Sequence, residues 1–138
     1  MKNWPLPSKA TLSDISRSLI AIHKILMDDM MEEVQRNRER VFVSGEKLNL
    51  LLNDPEFQWL RPLSSLIADI DDLVAQKEPL ANLQTDNLFT TLQTLIFQSS
   101  ANTLYQRLHG LFDQSPDLVV HYGRIKTILV EKRTIKKP

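Results

Sequence analysis

Three histidines are the side chains of this sequence best suited to acid–base or metal chemistry near neutral pH. His23, His109 and His121 each fall within an amphipathic stretch, where an imidazole can serve as a base or a metal ligand. His23 is followed on its own stretch by acids, of which Asp28 is one. We therefore predict His23 and Asp28 as binding residues. The competing interpretation is that His23 sits at the core boundary and bonds a carbonyl or a carboxylate.

The sequence lacks the residue spacings that metal cages and common catalytic sites require. No Glu precedes a His by three residues, as the di-metal sites of helical bundles need. There is no cysteine, and no phosphate-binding glycine loop, nucleophile elbow or zinc-protease motif is present. We therefore predict no metal, no cofactor and no catalytic residue. This pattern favours a non-enzymatic role without excluding an enzyme.

Residues 59–62, Trp-Leu-Arg-Pro, form the most unusual local segment. Trp and Arg are residue types enriched at binding hot spots. In a regular helix Trp59 and Arg61 would point to different sides, but a kink at Pro62 would let both border one groove. We therefore predict Trp59 and Arg61 as ligand-binding or partner-binding residues. The alternative is that Trp59 packs in the core and Arg61 bonds nearby carbonyls or an acid.

Apolar spacing predicts the helices that position these side chains. The first helix is expected to start at Thr11 or Ser13 and to stop near Val41–Val43. Along it, apolar residues recur every three or four positions, which is the period of one helix face. These residues are Ile15, Leu19, Ile22, Leu26, Met30 and Val34.

The second helix is predicted in three parts. Ser44 caps a short helix over residues 46–53, which carries Leu48, Leu51 and Leu52 on one side. Asp54 followed by proline is a typical helix start, and Pro62 predicts a kink or a fresh start. Pro79 ends the segment.

Two further helices are predicted in the rest of the chain. The third begins after residues 85–86, and its apolar face changes side across residues 98–102, so it bends there or is buried on two sides. The fourth starts at Ser115-Pro116 and frays into a basic tail. The predicted fold is therefore all-α, an antiparallel four-helix bundle whose second helix is interrupted by prolines. We assign residues 1–10 to an N-terminal extension, 11–134 to the bundle domain and 135–138 to the tail.

Composition restricts the classes of partner and the location. Apolar residues make up 42% of the chain and charged residues 25%, as in ordinary globular domains. The formal net charge is zero, which argues against nucleic-acid binding by the whole domain, although the basic stretch 124–137 could contact anionic partners. No signal peptide or membrane span is predicted. The absence of cysteine fits a cytoplasmic location.

Two segments resemble a family of small, uncharacterised, all-helical bacterial proteins. One is residues 51–64, Leu-Leu-Asn-Asp-Pro-Glu-Phe-Gln-Trp-Leu-Arg-Pro-Leu-Ser. The other is residues 22–28, which resembles the pattern Leu-His-Lys-x-Leu-Leu-Asp and departs from it at Ile22 and Met27. The resemblance extends over about half of the chain. It implies a bacterial origin and a compact helical domain, and it implies no activity.

The end of the first helix carries more apolar side chains than one small core requires. Met27, Met30 and Met31 cluster there, and Val34 and the Val-Phe-Val run at 41–43 follow. Methionine-rich surfaces adapt well to partners. We therefore predict a helical interaction module whose partner is a protein, either a second copy or another chain. The alternative is a small-molecule or metal-binding bundle that uses His23 with acids, or Trp59 with Arg61.

Overall fold

The chain folds into helices joined by short turns, with no β-strand among the described residues. A computed structural model describes residues 7–98 and 102–136, and side chains up to residue 130. The all-α prediction is confirmed. The described residues form six α-helices, where four had been predicted, with a 3₁₀ helix before α3 and a π-helical turn after α4. The elements are α1 Lys9–Asn37, α2 Ser44–Asn53, the 3₁₀ helix Pro55–Leu60, α3 Arg61–Ala75, α4 Asn82–Gln93, the π turn Thr94–Gln98, α5 Thr103–Gly110 and α6 Pro116–Lys136.

Helix α1 is the centre of the fold and packs against both α3 and α6. All six positions of its predicted apolar stripe are buried, so the period was a correct guide to its inward face. Its ends were predicted wrongly. The helix begins at Lys9, because the Ser8 hydroxyl caps it by accepting a hydrogen bond from the Thr11 amide at 3.0 Å.

The far end of α1 lies at Asn37, well before the predicted stop near Val41–Val43. Glu39 adopts a left-handed backbone with a φ of 52°, a conformation that commonly closes helices. The Arg40 amide then donates to the Gln35 carbonyl at 3.0 Å. The chain leaves the helix there, and Val43, just before α2, has an extended backbone.

Polar contacts join α1 to α3 along their length. They pair Lys9 Nζ with the Gln76 carbonyl, Ser16 Oγ with Asp71 Oδ1 at 2.7 Å, and His23 Nε2 with Ser64 Oγ at 2.8 Å. Residue numbers rise along α1 as they fall along α3, so the two helices are antiparallel.

The interruption between α2 and α3 follows the predicted signals. The Asp54 carboxylate accepts from the Glu56 amide at 2.9 Å and caps the 3₁₀ helix. The Glu56 amide, and then the Arg38 guanidinium at 2.9 Å, hold the pKa of the Asp54 carboxyl below its ordinary value. Pro62 lies in the first turn of α3, as a fresh helix start predicts. Helix α3 ends at Ala75, before Pro79 is reached.

Two helix starts differ from the predictions. Ser44 is the first residue of α2 and not its cap, because Glu46 reaches back and accepts from the Val43 amide at 3.1 Å. Helix α4 starts at Asn82 and not after residues 85–86. Thr85 is buried inside that helix, where its hydroxyl donates to the Asn82 carbonyl at 3.1 Å.

The predicted third helix is divided near the expected place. The α-helical pattern of α4 gives way to a π turn at Thr94–Gln98, a local insertion into the helix. Asn102 then caps α5 by accepting from the Leu104 amide at 2.8 Å. The predicted irregularity is therefore confirmed at both of its described ends, while residues 99–101 lie outside the described part.

The fourth predicted helix starts where the sequence placed it. The Ser115 hydroxyl accepts from the Leu118 amide at 3.3 Å, and Pro116 is the first residue of α6. Helix α6 extends to Lys136 and so includes the first two residues of the predicted tail at 135–138. Residues 137–138, and every side chain from 131 onward, lie outside the described part.

The apolar interior is divided into two clusters. The main core runs through α1, α3, α4, α5 and α6. A second core lies at the C-terminal end of α1, where α2 and the 3₁₀ helix join it. The residues of the second core are Met30, Met31, Val34, Phe42, Leu50 and Phe57. Trp59 packs against both clusters and links them.

Candidate functional site

A groove of about 440 Å³ separates the C-terminal half of α1 from α2. Its size falls within the range of sites that bind ligands or partner side chains. Apolar and charged residues share its walls. They are Met27, Asp28, Met31, Glu32 and Gln35 from α1, and Lys47, Leu48 and Leu51 from α2.

The two walls of the groove carry opposite charge. Asp28 and Glu32 lie on the α1 wall, and Lys47 lies on the α2 wall. Asp28 is paired with Lys24 at 2.8 Å. Glu32 and Lys47 are both exposed, and neither has an ion-pair partner among the described residues. Within the described part of the chain, the groove therefore has an unpaired acid on one wall and an unpaired base on the other, with apolar side chains on both walls.

Helix α2 also exposes leucines beside this groove. Leu48 and Leu52 are each 58% exposed, and they lie one helical turn apart. Isolated exposed apolar residues are ordinary on protein surfaces, but a group of them next to a groove is typical of an interaction site. Of the three leucines predicted to share one side of α2, Leu48 and Leu52 are therefore on its outer side, whereas Leu51 is partly buried and packs against both core clusters.

The second core fixes α2 in this orientation. Leu50 is the buried residue of α2, and it packs with Phe42 and Phe57. Because α2 buries Leu50, Leu48 and Leu52 remain on the exposed side. The apolar surplus predicted for this region thus divides into a buried part and an exposed part that includes Val41 and Val43.

His23 lies at a second place, a shallow depression of about 240 Å³ shared with Ile20, Ser64 and Ile67. Its Nε2 lies 2.8 Å from Ser64 Oγ. A nucleophile and base at this distance form the first contact of a Ser–His pair. Among the described residues no carboxylate bonds the His23 ring to orient it, so the contact alone assigns no reaction.

The partial burial of His23 predicts a pH dependence of folding stability. Burial lowers the pKa of this imidazole below its ordinary value of 6.5. As the pH falls through the ordinary value, the unfolded chain takes up a proton that the folded chain does not, so the free energy of unfolding falls. When the pH is above the ordinary pKa, His23 is neutral in both the folded and the unfolded chain, and it causes no loss of stability.

We therefore expect the wild-type protein to lose more stability between about pH 7.5 and about pH 5.5 than the variant His23→Gln. Denaturant unfolding at the two pH values measures the difference. The control Ser64→Ala keeps the imidazole and its burial, so it should keep the loss. An equally steep loss of stability in His23→Gln would show that the pH dependence does not come from His23.

Trp59 is half-buried, and its indole lies under a guanidinium. The Arg107 guanidinium carbon is 5.2 Å from the ring centre, within the range of cation–π contacts. Arg107 is also paired with Glu33 at 3.1 Å, so α5, the 3₁₀ helix and α1 meet at this point. Trp59 Nε1 is buried with no hydrogen-bond partner among the described residues.

The four predicted binding residues have different partners. Arg61 is exposed and donates to the Leu52 carbonyl, the kind of contact that the alternative interpretation predicts. Trp59 contacts Arg107, His23 contacts Ser64, and Asp28 lines the groove between α1 and α2. The proposal that any of them binds a ligand or partner remains a prediction.

Comparisons with protein-family models, curated proteins and solved structures found no match to this chain. Within the described part, no three His, Asp or Glu side chains gather closely enough to hold a metal ion. Likewise, no helix there combines the length and apolar character that crossing a membrane requires.

Sequence reasoning missed the most informative residues of the groove, which are Glu32 and Lys47. Each looks like an ordinary charge on a solvated helix face. Their relation depends on how far α2 stands from α1, which is set by the second core. The exposed pair Leu48 and Leu52 was visible in the sequence, but it was assigned no role.

Proposed function

We propose that this protein is a helical interaction module that self-associates through the groove between α1 and α2. The observation that supports this most directly is the exposed apolar groove with an acid, Glu32, on one wall and a base, Lys47, on the other, both unpaired among the described residues. Because each copy carries both an acid and a base at the groove, two identical copies can place opposite charges against each other.

A two-fold symmetric pair would satisfy these groups reciprocally. In a symmetric dimer each contact occurs twice, with the two roles exchanged. Lys47 of one copy would face Glu32 of the second copy, and Lys47 of the second would face Glu32 of the first. Leu48 of each copy would enter the apolar part of the other groove. Eight residues line the groove, whereas a standard stable interface has about 20–30 residues on each side, so we expect a weak, concentration-dependent dimer.

The test is the average mass in solution across a dilution series, measured by sedimentation equilibrium. We expect the wild-type mass to rise above that of the monomer with concentration. Leu48→Glu should remain monomeric, because it buries an unpaired charge in the interface.

Leu83→Glu is the matched control, since Leu83 is 73% exposed and lies on α4, away from the groove. It should associate like the wild type. A monomeric wild type at every concentration, or equal association by the two variants, would contradict the proposal.

A second candidate function is binding of a small molecule in the same groove, with Asp28 or Glu32 recognising a cationic group; it uses other residues than the His23 and Trp59–Arg61 alternatives predicted from the sequence. The volume of about 440 Å³ supports it. In that case a small amphipathic amine would bind the monomer, and Leu48→Glu would not abolish binding. For a metal-binding role of His23, the described residues offer no cluster of three possible metal ligands.

We also propose a bundle architecture for this module. The six described α-helices are arranged as four antiparallel segments, with α2 to α3 forming one interrupted segment and α4 to α5 forming another. The antiparallel contacts between α1 and α3 support this arrangement. The resemblance of residues 22–28 and 51–64 supports a bacterial origin. The absence of cysteine supports the cytoplasm.

A further inference from the structure

A cavity of about 490 Å³ lies between the first part of α1 and α6, on a different helix pair from the groove. Unlike the groove, it is lined mainly by polar side chains. Asp14, Arg17 and Ser18 come from α1, and His121, Arg124 and Ile128 come from α6. Its volume falls within the range of small-molecule sites.

Two of the lining residues carry hydrogen-bonding groups deep in the fold. Ser18 is only 1% exposed. His121 Nδ1 is buried and has no hydrogen-bond partner in the described part of the chain. Buried polar atoms in native structures are nearly always paired. The unpaired Nδ1 is an exception, but it has almost no accessible surface, so a bound group would meet the other edge of the His121 ring, which lines the cavity.

The charges at the cavity favour an anion. Arg17 and Arg124 contribute two positive charges, and Asp14 contributes one negative charge. Asp14 is paired with Arg17 at the exposed edge. Arg124 has no ion-pair partner among the described residues. Arginine recognises carboxylate and phosphate oxygens through paired N–H groups.

We infer that this cavity binds a small organic oxyanion, a carboxylate or a phosphate monoester with a compact apolar group. Arg124 and Arg17 hold the oxygens, the accessible edge of the His121 ring borders them, and Ile128 contacts the apolar part. The site does not depend on self-association, because it involves α6 and not α2.

The test is a titration of the full chain, followed by the amide resonances of Ser18 and His121 at constant ionic strength. The probes are phenyl phosphate and benzoate, with phenol as the uncharged control. We expect saturable shifts with at least one anion and none with phenol. Tighter binding of phenyl phosphate identifies a phosphate ligand, and tighter binding of benzoate identifies a carboxylate.

Arg124→Gln should weaken binding by at least about tenfold, the loss expected for a charge-assisted hydrogen bond. Lys126→Gln removes the same charge from an exposed position of α6 that does not line the cavity, so it should bind like the wild type. Arg17→Gln is a second variant at the opposite wall and should also weaken binding. The inference is overturned if neither anion produces saturable shifts, or if Lys126→Gln weakens binding as much as Arg124→Gln.

Discussion

Replacing Phe57 with alanine is expected to lower the free energy of unfolding by about 3–5 kcal/mol. Phe57 is fully buried in the second core, so the substitution removes a large apolar surface and leaves a cavity. A domain of this size has a total stability of about 5–15 kcal/mol. The variant should therefore be close to unfolding, and denaturant titration at neutral pH measures the change.

The same substitution should also affect self-association. Phe57, with Leu50 and Phe42, fixes α2 and thereby one wall of the groove. We expect Phe57→Ala to associate more weakly than the wild type under conditions where it is still folded. Phe57→Leu is the matched control, because it keeps much of the buried volume and should lose less stability. Equal stability of Phe57→Ala and the wild type would contradict the assignment of a second core.

Ile22→Ala is expected to lower the free energy of unfolding by about 2–5 kcal/mol. Ile22 is fully buried on the face of α1 that packs in the main core. Since α1 contacts both α3 and α6, a cavity there weakens the packing of the whole domain. Thermal or denaturant unfolding provides the measurement.

Ile20→Ala is the control for Ile22→Ala. It is the same change on the same helix, but Ile20 is 49% exposed. Its cost should be less than about 1 kcal/mol. If the two variants were equally destabilised, α1 would not have the inward face described above.

The sequence was a good guide wherever one local rule decided the structure. The apolar period of α1 identified its buried stripe, and Asp54 with Pro55 identified a helix start. It failed at the end of α1, because Glu39 takes a left-handed backbone that glycine usually signals. It also failed at the start of α4, where Ala81 precedes the helix with no side-chain cap.

The candidate sites were harder to predict for a physical reason. His23, Trp59 and Arg61 were selected by residue type, and folding gave each a separate partner. The groove and the α1–α6 cavity depend on how helices far apart in the chain are spaced, as the pairing of Glu33 with Arg107 illustrates. Residue spacing within one helix contains no such information.

The most direct test of self-association through the groove is a charge exchange between its two walls. Glu32→Lys and Lys47→Glu should each weaken association, because each places like charges opposite one another twice in a symmetric dimer. Mixing the two variants should restore association, since both contacts of the mixed dimer again join one acid to one base. We predict that sedimentation shows monomers for each variant alone and dimers for the mixture. A mixture that remains monomeric while the wild type dimerises would contradict the account.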